Sequence, residues 1–170
     1  MRRDAWRRAG GFDESFFAHM EEIDLNWRFH LMGLRVRFCP HTVVLHHAGT
    51  TLPPENPRKM FLNHRNGLMM LLKNCAGSTL LWVMPVRLSL ELVAAVHFLR
   101  RGDLDQTRGI FAALWAVATQ HTTIVEGRRT AQALRTRSDT DVRARMYRGS
   151  VVWDYFVRGR RTVDALAGRD

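Results

Sequence analysis

The stretch Gly10-Gly11-Phe12-Asp13-Glu14-Ser15-Phe16-Phe17-Ala18-His19-Met20-Glu21-Glu22-Ile23-Asp24-Leu25-Asn26-Trp27-Arg28 holds the densest chemistry in the chain. Two glycines followed by Phe12-Asp13-Glu14 read as a loop. A helix is predicted from about Phe17 to Met32, with Phe16, Met20, Ile23 and Trp27 as its buried stripe. Gly33 suits its C-cap. Glu21 and Glu22 fall in the first turns, where the helix dipole favours acids. Asp24 and Arg28 stand four apart and can pair on one helix face.

On either side of this stretch the patterning changes. Residues 1–8 are basic and read as extended. Leu34, Val36 and Phe38 alternate with Arg35 and Arg37, the period of a half-buried strand that Pro40 ends. Thr42 to Leu45 is a second, β-branched strand running into His46-His47, and Gly49 to Pro57 is a polar loop. From Arg58 the pattern turns helical. Helices are predicted over Met60–Asn74, Leu80–Arg101, Thr107–Gln120 and Ile124–Arg137, with Arg100-Arg101-Gly102-Asp103 as a turn. Beyond Ser138 the chain is Arg-rich and weakly patterned.

Hydrophobic residues make up 46% and charged residues 25%, a globular rather than a disordered composition. The formal charge is +10, from 26 Lys+Arg against 16 Asp+Glu. That balance favours anionic partners without choosing among nucleic acid, a membrane surface and phosphorylated substrates. Cys39 and Cys75 form neither a CxxC pair nor a disulfide framework, and no apolar leader follows Met1, so a reduced, cytoplasmic setting is expected. The most apolar stretch, Leu80 to Leu99, is interrupted by Pro85, Arg87, Glu91 and His97. It suits a buried core helix or one lying in a membrane interface.

An inverting glycosyl transfer requires a carboxylate to take the proton of the acceptor hydroxyl. It also requires stabilisation of a departing diphosphate, commonly by a divalent metal. A carboxylate at a helix start suits the first role, and an imidazole at a strand end suits the second. His46 and His47 are adjacent on one strand, so at most one of them faces a site. Cys39, His41, His46 and His47 match no standard structural zinc spacing.

The run Gly10-Gly11-Phe12-Asp13-Glu14, two aromatics, then Glu21-Glu22-Ile23-Asp24-Leu25 and Arg28 resembles the GGFDE block of family 2 glycosyltransferases, the rhamnosyltransferase-like members above all. Val43-Val44-Leu45-His46 resembles the family's V-x-H strand, Arg65-Asn66 its R-N pair and Lys73-Asn74 its K-N pair. The resemblance covers about residues 1–75. It implies an α/β chain: a partial GT-A (Rossmann-like) glycosyltransferase fold followed by a C-terminal α-helical region. Residues 1–57 would be the C-terminal part of the GT-A domain, 58–137 a helical extension at a membrane interface, and 138–170 a basic tail.

By the same resemblance Glu22 stands where the family has its general base, here as Glu rather than Asp, with Glu21 able to share the role. Asp13 and Glu14 would lie on the acceptor side. His46 would contact the metal or diphosphate, with His47 as second choice. The family's nucleotide-binding strands and metal-binding Asp-x-Asp lie upstream of the block. Asp103-Leu104-Asp105 and Asp139-Thr140-Asp141 come after it and read as cap or loop acids. The chain is therefore expected to lack the nucleotide-binding half and to be inactive alone. In the complete enzyme a Mg or Mn ion and a nucleotide-sugar donor are expected. The acceptor would be a polysaccharide or lipid-linked sugar, at the inner face of the cell membrane. The competing reading is a basic helical module for nucleic acid or anionic membrane, to which Arg128-Arg129, Arg135 and Arg137 partly fit.

Overall fold

The computed structural model describes residues 1–37, 39–45, 56, 58–147, 149–162 and 165. They form two compact units, 1–139 and 140–170. In the first, α1 (Arg3–Ala9) leads through Gly10 and Gly11, both at positive φ, into a 3₁₀ turn (Glu14–Phe16) and α2 (Glu21–Leu31). Four longer helices follow: α3 (Arg58–Asn74), α4 (Gly77–Arg100), α5 (Leu104–Thr119) and α6 (His121–Ala133). A short helix, α7 (Asp139–Arg143), begins at the division, and α8 (Val151–Phe156) belongs to the second unit.

The expected α/β architecture is not what the chain forms. Among the described residues there is no strand and no sheet, and therefore no Rossmann-like layer. Residues 34–37 and 42–45, read as strands, are irregular. Val43, Val44 and Leu45 stand 87%, 79% and 87% exposed. Alternation and β-branching describe a surface suited to pairing. A strand still needs a neighbour for its hydrogen bonds, and none is present among the described residues. Phe38, His46, His47 and nearly all of the 49–57 loop lie outside the described residues.

The helical predictions fare better, because a 3.6-residue period needs no distant partner to be legible. The basic opening stretch, read as extended, is nevertheless helical over Arg3–Ala9. The second helix starts four residues later than expected. Phe17, His19 and Met20 all have positive φ, which no helix continues through. Its buried face is consequently Asp24, Leu25, Arg28, Phe29 and Leu31, while Ile23 is exposed.

The central helix is α3, which packs against α2, α4, α5 and α6. Leu62, Leu68 and Met69 give it an apolar side. Two small apolar clusters flank it. Ala9, Leu25 and Phe29 join α1 to α2, and Phe16 from the 3₁₀ turn plugs against Met69 and Ile124. The buried surface of α3 also carries Arg65, Asn66, Lys73 and Asn74. Burying such groups is costly unless each finds a partner. The partners define the site.

Candidate functional site

The backbone of the acidic turn is held by the Arg-Asn pair of α3. The Arg65 guanidinium donates to the carbonyls of Ser15 (2.9 Å) and Phe16 (3.2 Å). The Asn66 amide, fully buried, donates to those of Phe16 (2.9 Å), Ala18 (2.8 Å) and His19 (2.8 Å). The irregular residues 17–20 turn the carbonyls of this segment inward. The side chains of two adjacent residues on α3 satisfy them.

Two turns further along α3, Lys73 completes the clamp. Its ammonium, 2% exposed, donates to Asp13 Oδ2 (2.7 Å) and Ser15 Oγ (2.8 Å) and sits 4.9 Å from the centre of the Phe16 ring. Asp13 also caps the 3₁₀ turn, its Oδ1 accepting from the Ser15 amide at 3.0 Å and hydroxyl at 2.6 Å. Burial opposes ionisation of Asp13. Hydrogen bonds from Lys73 and Ser15 and the lysine's charge outweigh it and hold the carboxyl below the ordinary carboxylate range. Room for Lys73 comes from Gly127 on α6, where a Cβ would lie 2.6 Å from the lysine's Cε.

The neighbouring Asn74 reaches α2. Its amide donates to Asp24 Oδ1 at 2.6 Å, while the other oxygen of Asp24 accepts from Arg28 Nε at 2.9 Å. The expected Asp24–Arg28 ion pair is thus present, buried, at 2.7 Å. Arg28 also donates to the Ala9 carbonyl at the end of α1. Between these groups and α6 lies a cleft of about 270 Å³, lined by Asp13, Asp24, Arg28, Lys73, Glu126 and Thr130. Its acids and bases on α2, α3 and the turn are paired with one another, so they shape the cleft rather than offering a free base.

The structure spreads the four acids named from the sequence. Asp13 is drawn inward by Lys73, Glu14 lies exposed in the 3₁₀ turn, and Glu22 is exposed in the first turn of α2. Glu21 is half-buried, and one of its carboxylate oxygens is enclosed with no hydrogen-bond partner among the described residues. His19 Nε2 is enclosed in the same state. Both residues flank the left-handed Met20, so two unpartnered polar atoms and a strained backbone coincide at one turn. Sequence reasoning passed over His19, because nothing in a lone histidine announces a positive φ. For the expected metal, no three His, Cys, Asp or Glu side chains converge among the described residues, and His46 and His47 lie outside them.

Of the basic residues that partly fitted a nucleic-acid module, Arg128 and Arg135 have internal roles, while Arg129 and Arg137 are exposed. Arg128 donates to the Leu72 (2.7 Å) and Cys75 (2.6 Å) carbonyls, and Gln132 to those of Lys73 and Asn74 at 3.0 Å each. Arg135 bonds the Asn74 carbonyl and pairs with Asp139 at 2.6 Å. These are the open carbonyls at the C-terminal, electronegative end of α3, so α6 and the segment after it cap the central helix. Two of the acids after the block act as caps. Asp103 accepts from the Gln106 amide at the start of α5 (3.1 Å), and Asp139 accepts from the Ala76 amide just ahead of α4 (2.7 Å).

Comparison with known proteins gives one kind of relative. Over 110 residues the chain is 29% identical to the N-acetylglucosaminyl-diphospho-decaprenol L-rhamnosyltransferase of Mycobacterium tuberculosis, in both the CDC 1551 / Oshkosh and the ATCC 25618 / H37Rv strains. The match covers 64% of this chain and 35% of the relative, so the chain spans about a third of the length of the curated relatives it matches. No family model matches. No solved structure matches either. The chain is glycosyltransferase-like to that extent.

Proposed function

We propose that this chain supplies the acceptor-side part of an inverting glycosyltransferase, with the turn 13–22 presenting the carboxylates that meet the acceptor. The observation that carries the reading is the clamp. Arg65, Asn66, Lys73 and Asn74 all hold the turn or Asp24, in a chain that is similar to a rhamnosyltransferase. Three buried polar side chains devoted to one strained turn, and a fourth to the helix that follows it, are costly to maintain unless the turn must keep its shape. Glu22 is open to solvent, where an acceptor hydroxyl can reach it, and Glu21 stands beside it with an oxygen unengaged among the described residues.

In the proposed reaction Glu22, with Glu21 in support, takes the proton of the acceptor hydroxyl. The acceptor oxygen forms its bond to the sugar's anomeric carbon as the bond to the nucleotide diphosphate breaks on the opposite face. A divalent metal would supply charge stabilisation to the departing diphosphate. Donor binding is assigned to sequence corresponding to the two thirds of the relatives that this chain does not cover, so the chain alone is proposed to transfer no sugar. The relative's name points to the acceptor class: an amino sugar on a lipid-linked diphosphate.

The test is calorimetric titration of the chain with two ligands. One is N-acetylglucosaminyl diphosphate carrying a short, water-soluble prenyl tail, and the other is a nucleotide-activated sugar. Binding of the first and not the second is expected. Binding of the nucleotide sugar alone, or turnover by the isolated chain, would overturn the assignment.

A further inference from the structure

Helix α4 is built inside out. It is 24 residues long, and between Leu81 and Leu99 its only charged side chains are Arg87 and Glu91. In a helix on a water-facing surface these would point outward and the apolar residues inward. Here the charges turn in. Glu91 is 1% exposed and contacts His64 of α3, and Arg87 pairs with it at 2.5 Å. The outward face carries Leu81, Trp82, Val86, Leu92, Val93 and Val96, all exposed. At about 100° per residue they fall within an arc of about 140° on one side of the helix. The most hydrophobic window of α4 is only 11% buried, so α4 is not the core helix of this unit.

We propose that the outer face of α4 docks on the surface of an anionic lipid bilayer, with the helix lying along the interface. Three observations select this occupant. The stripe runs from Leu81 to the exposed Leu99, about 27 Å at 1.5 Å per residue, with Arg87 and Glu91 turned away from it and the exposed His97 at its edge. The chain carries a formal charge of +10, and Arg100 and Arg101 stand exposed where the stripe ends, complementary to anionic headgroups. Trp82 sits half-exposed on the stripe, the side chain best suited to a boundary between hydrocarbon and water. The inner face is covered by α3 and α5 and holds an ionic cluster, so one side of the helix meets lipid and the other stays in protein.

The experiment is vesicle flotation. The chain, purified in mild detergent, is mixed with vesicles of equimolar phosphatidylglycerol and phosphatidylcholine, freed of detergent and centrifuged in a density gradient, where aggregates stay at the bottom. The chain is expected to float. Tryptophan emission should be quenched by brominated lipid, with the quenched fraction falling in Trp82→Phe. The double variant Val86→Glu/Val93→Glu changes only exposed positions. It should keep its helical circular dichroism while vesicle partitioning drops about tenfold or more. Failure to float with intact helicity would overturn the proposal. Equal flotation of the double variant would too. So would a vesicle-free dimer that the double variant dissolves in the absence of lipid binding, since a second copy would then occupy the face.

Discussion

Replacing Asn66 by alanine should loosen the turn more than any surface change could. The two amide hydrogens of Asn66 serve three carbonyls, those of Phe16, Ala18 and His19. Arg65 also donates to the Phe16 oxygen, so the loss falls mainly on Ala18 and His19, while Arg65 Nε loses its acceptor, Asn66 Oδ1. A buried acceptor left without its donor costs about 1–3 kcal/mol, less where water can enter, which gives a destabilisation of about 2–4 kcal/mol in all. For the unit of residues 1–139 the unfolding entropy is about 0.3 kcal/mol per kelvin, so the melting temperature should fall by about 7–14 °C. Thermal unfolding followed by circular dichroism at the helix band measures this directly. Asn66→Asp sharpens the test, because a carboxylate would face the same three carbonyls with no proton to donate and should be worse than alanine. Glu22→Ala, at an exposed position, should shift the midpoint by no more than about 2 °C. The clamp is refuted if Asn66→Ala melts within that same margin, or if Asn66→Asp is the milder of the two.

Glycine-to-alanine changes inside helices ordinarily stabilise by about 1 kcal/mol. Gly127→Ala should do the opposite in a chemical denaturation midpoint, because the new methyl occupies the place of Lys73 Cε and must push the lysine off Asp13. Asp24→Ala leaves Arg28 and Asn74 without their carboxylate in a buried setting and should cost about 3–5 kcal/mol in the same assay. Asp13 and Asp139 both have folded-state values held below the ordinary carboxylate value, in each case against burial. Their contribution is therefore complete above about pH 4 and lost as pH falls through the lowered values. Urea midpoints should drop in that acid window, with a weaker drop in Asp13→Asn.

The residues that build the clamp were all visible in the sequence, but their task was not. Arg65-Asn66 and Lys73-Asn74 stood out by resemblance alone. That they reach back some 50–60 residues to one turn and the helix after it follows from tertiary packing, which no local pattern encodes. The Asp24–Arg28 pair was legible because its geometry lies within one helix. The turn itself was not, since Phe17, His19 and Met20 adopt positive φ without a glycine to announce it. Of the expected stripe, Phe16 is buried with Met20 packed beside it, but both precede the helix, and within α2 Ile23 is exposed. The strands failed for a different reason. Val43 to Leu45 have the composition of a strand, but composition supplies only one half of a ladder. Arginine was the most ambiguous letter, because capping a helix end and binding a phosphate call for the same side chain.

The most direct measurement is amide hydrogen exchange of the chain with and without the soluble N-acetylglucosaminyl diphosphate analogue. Slower exchange confined to residues 13–22 and the start of α2 is expected, with α6 unchanged. Protection appearing on α4 or α6 while the acidic turn exchanges as before would place the acceptor elsewhere and remove the basis for the assignment.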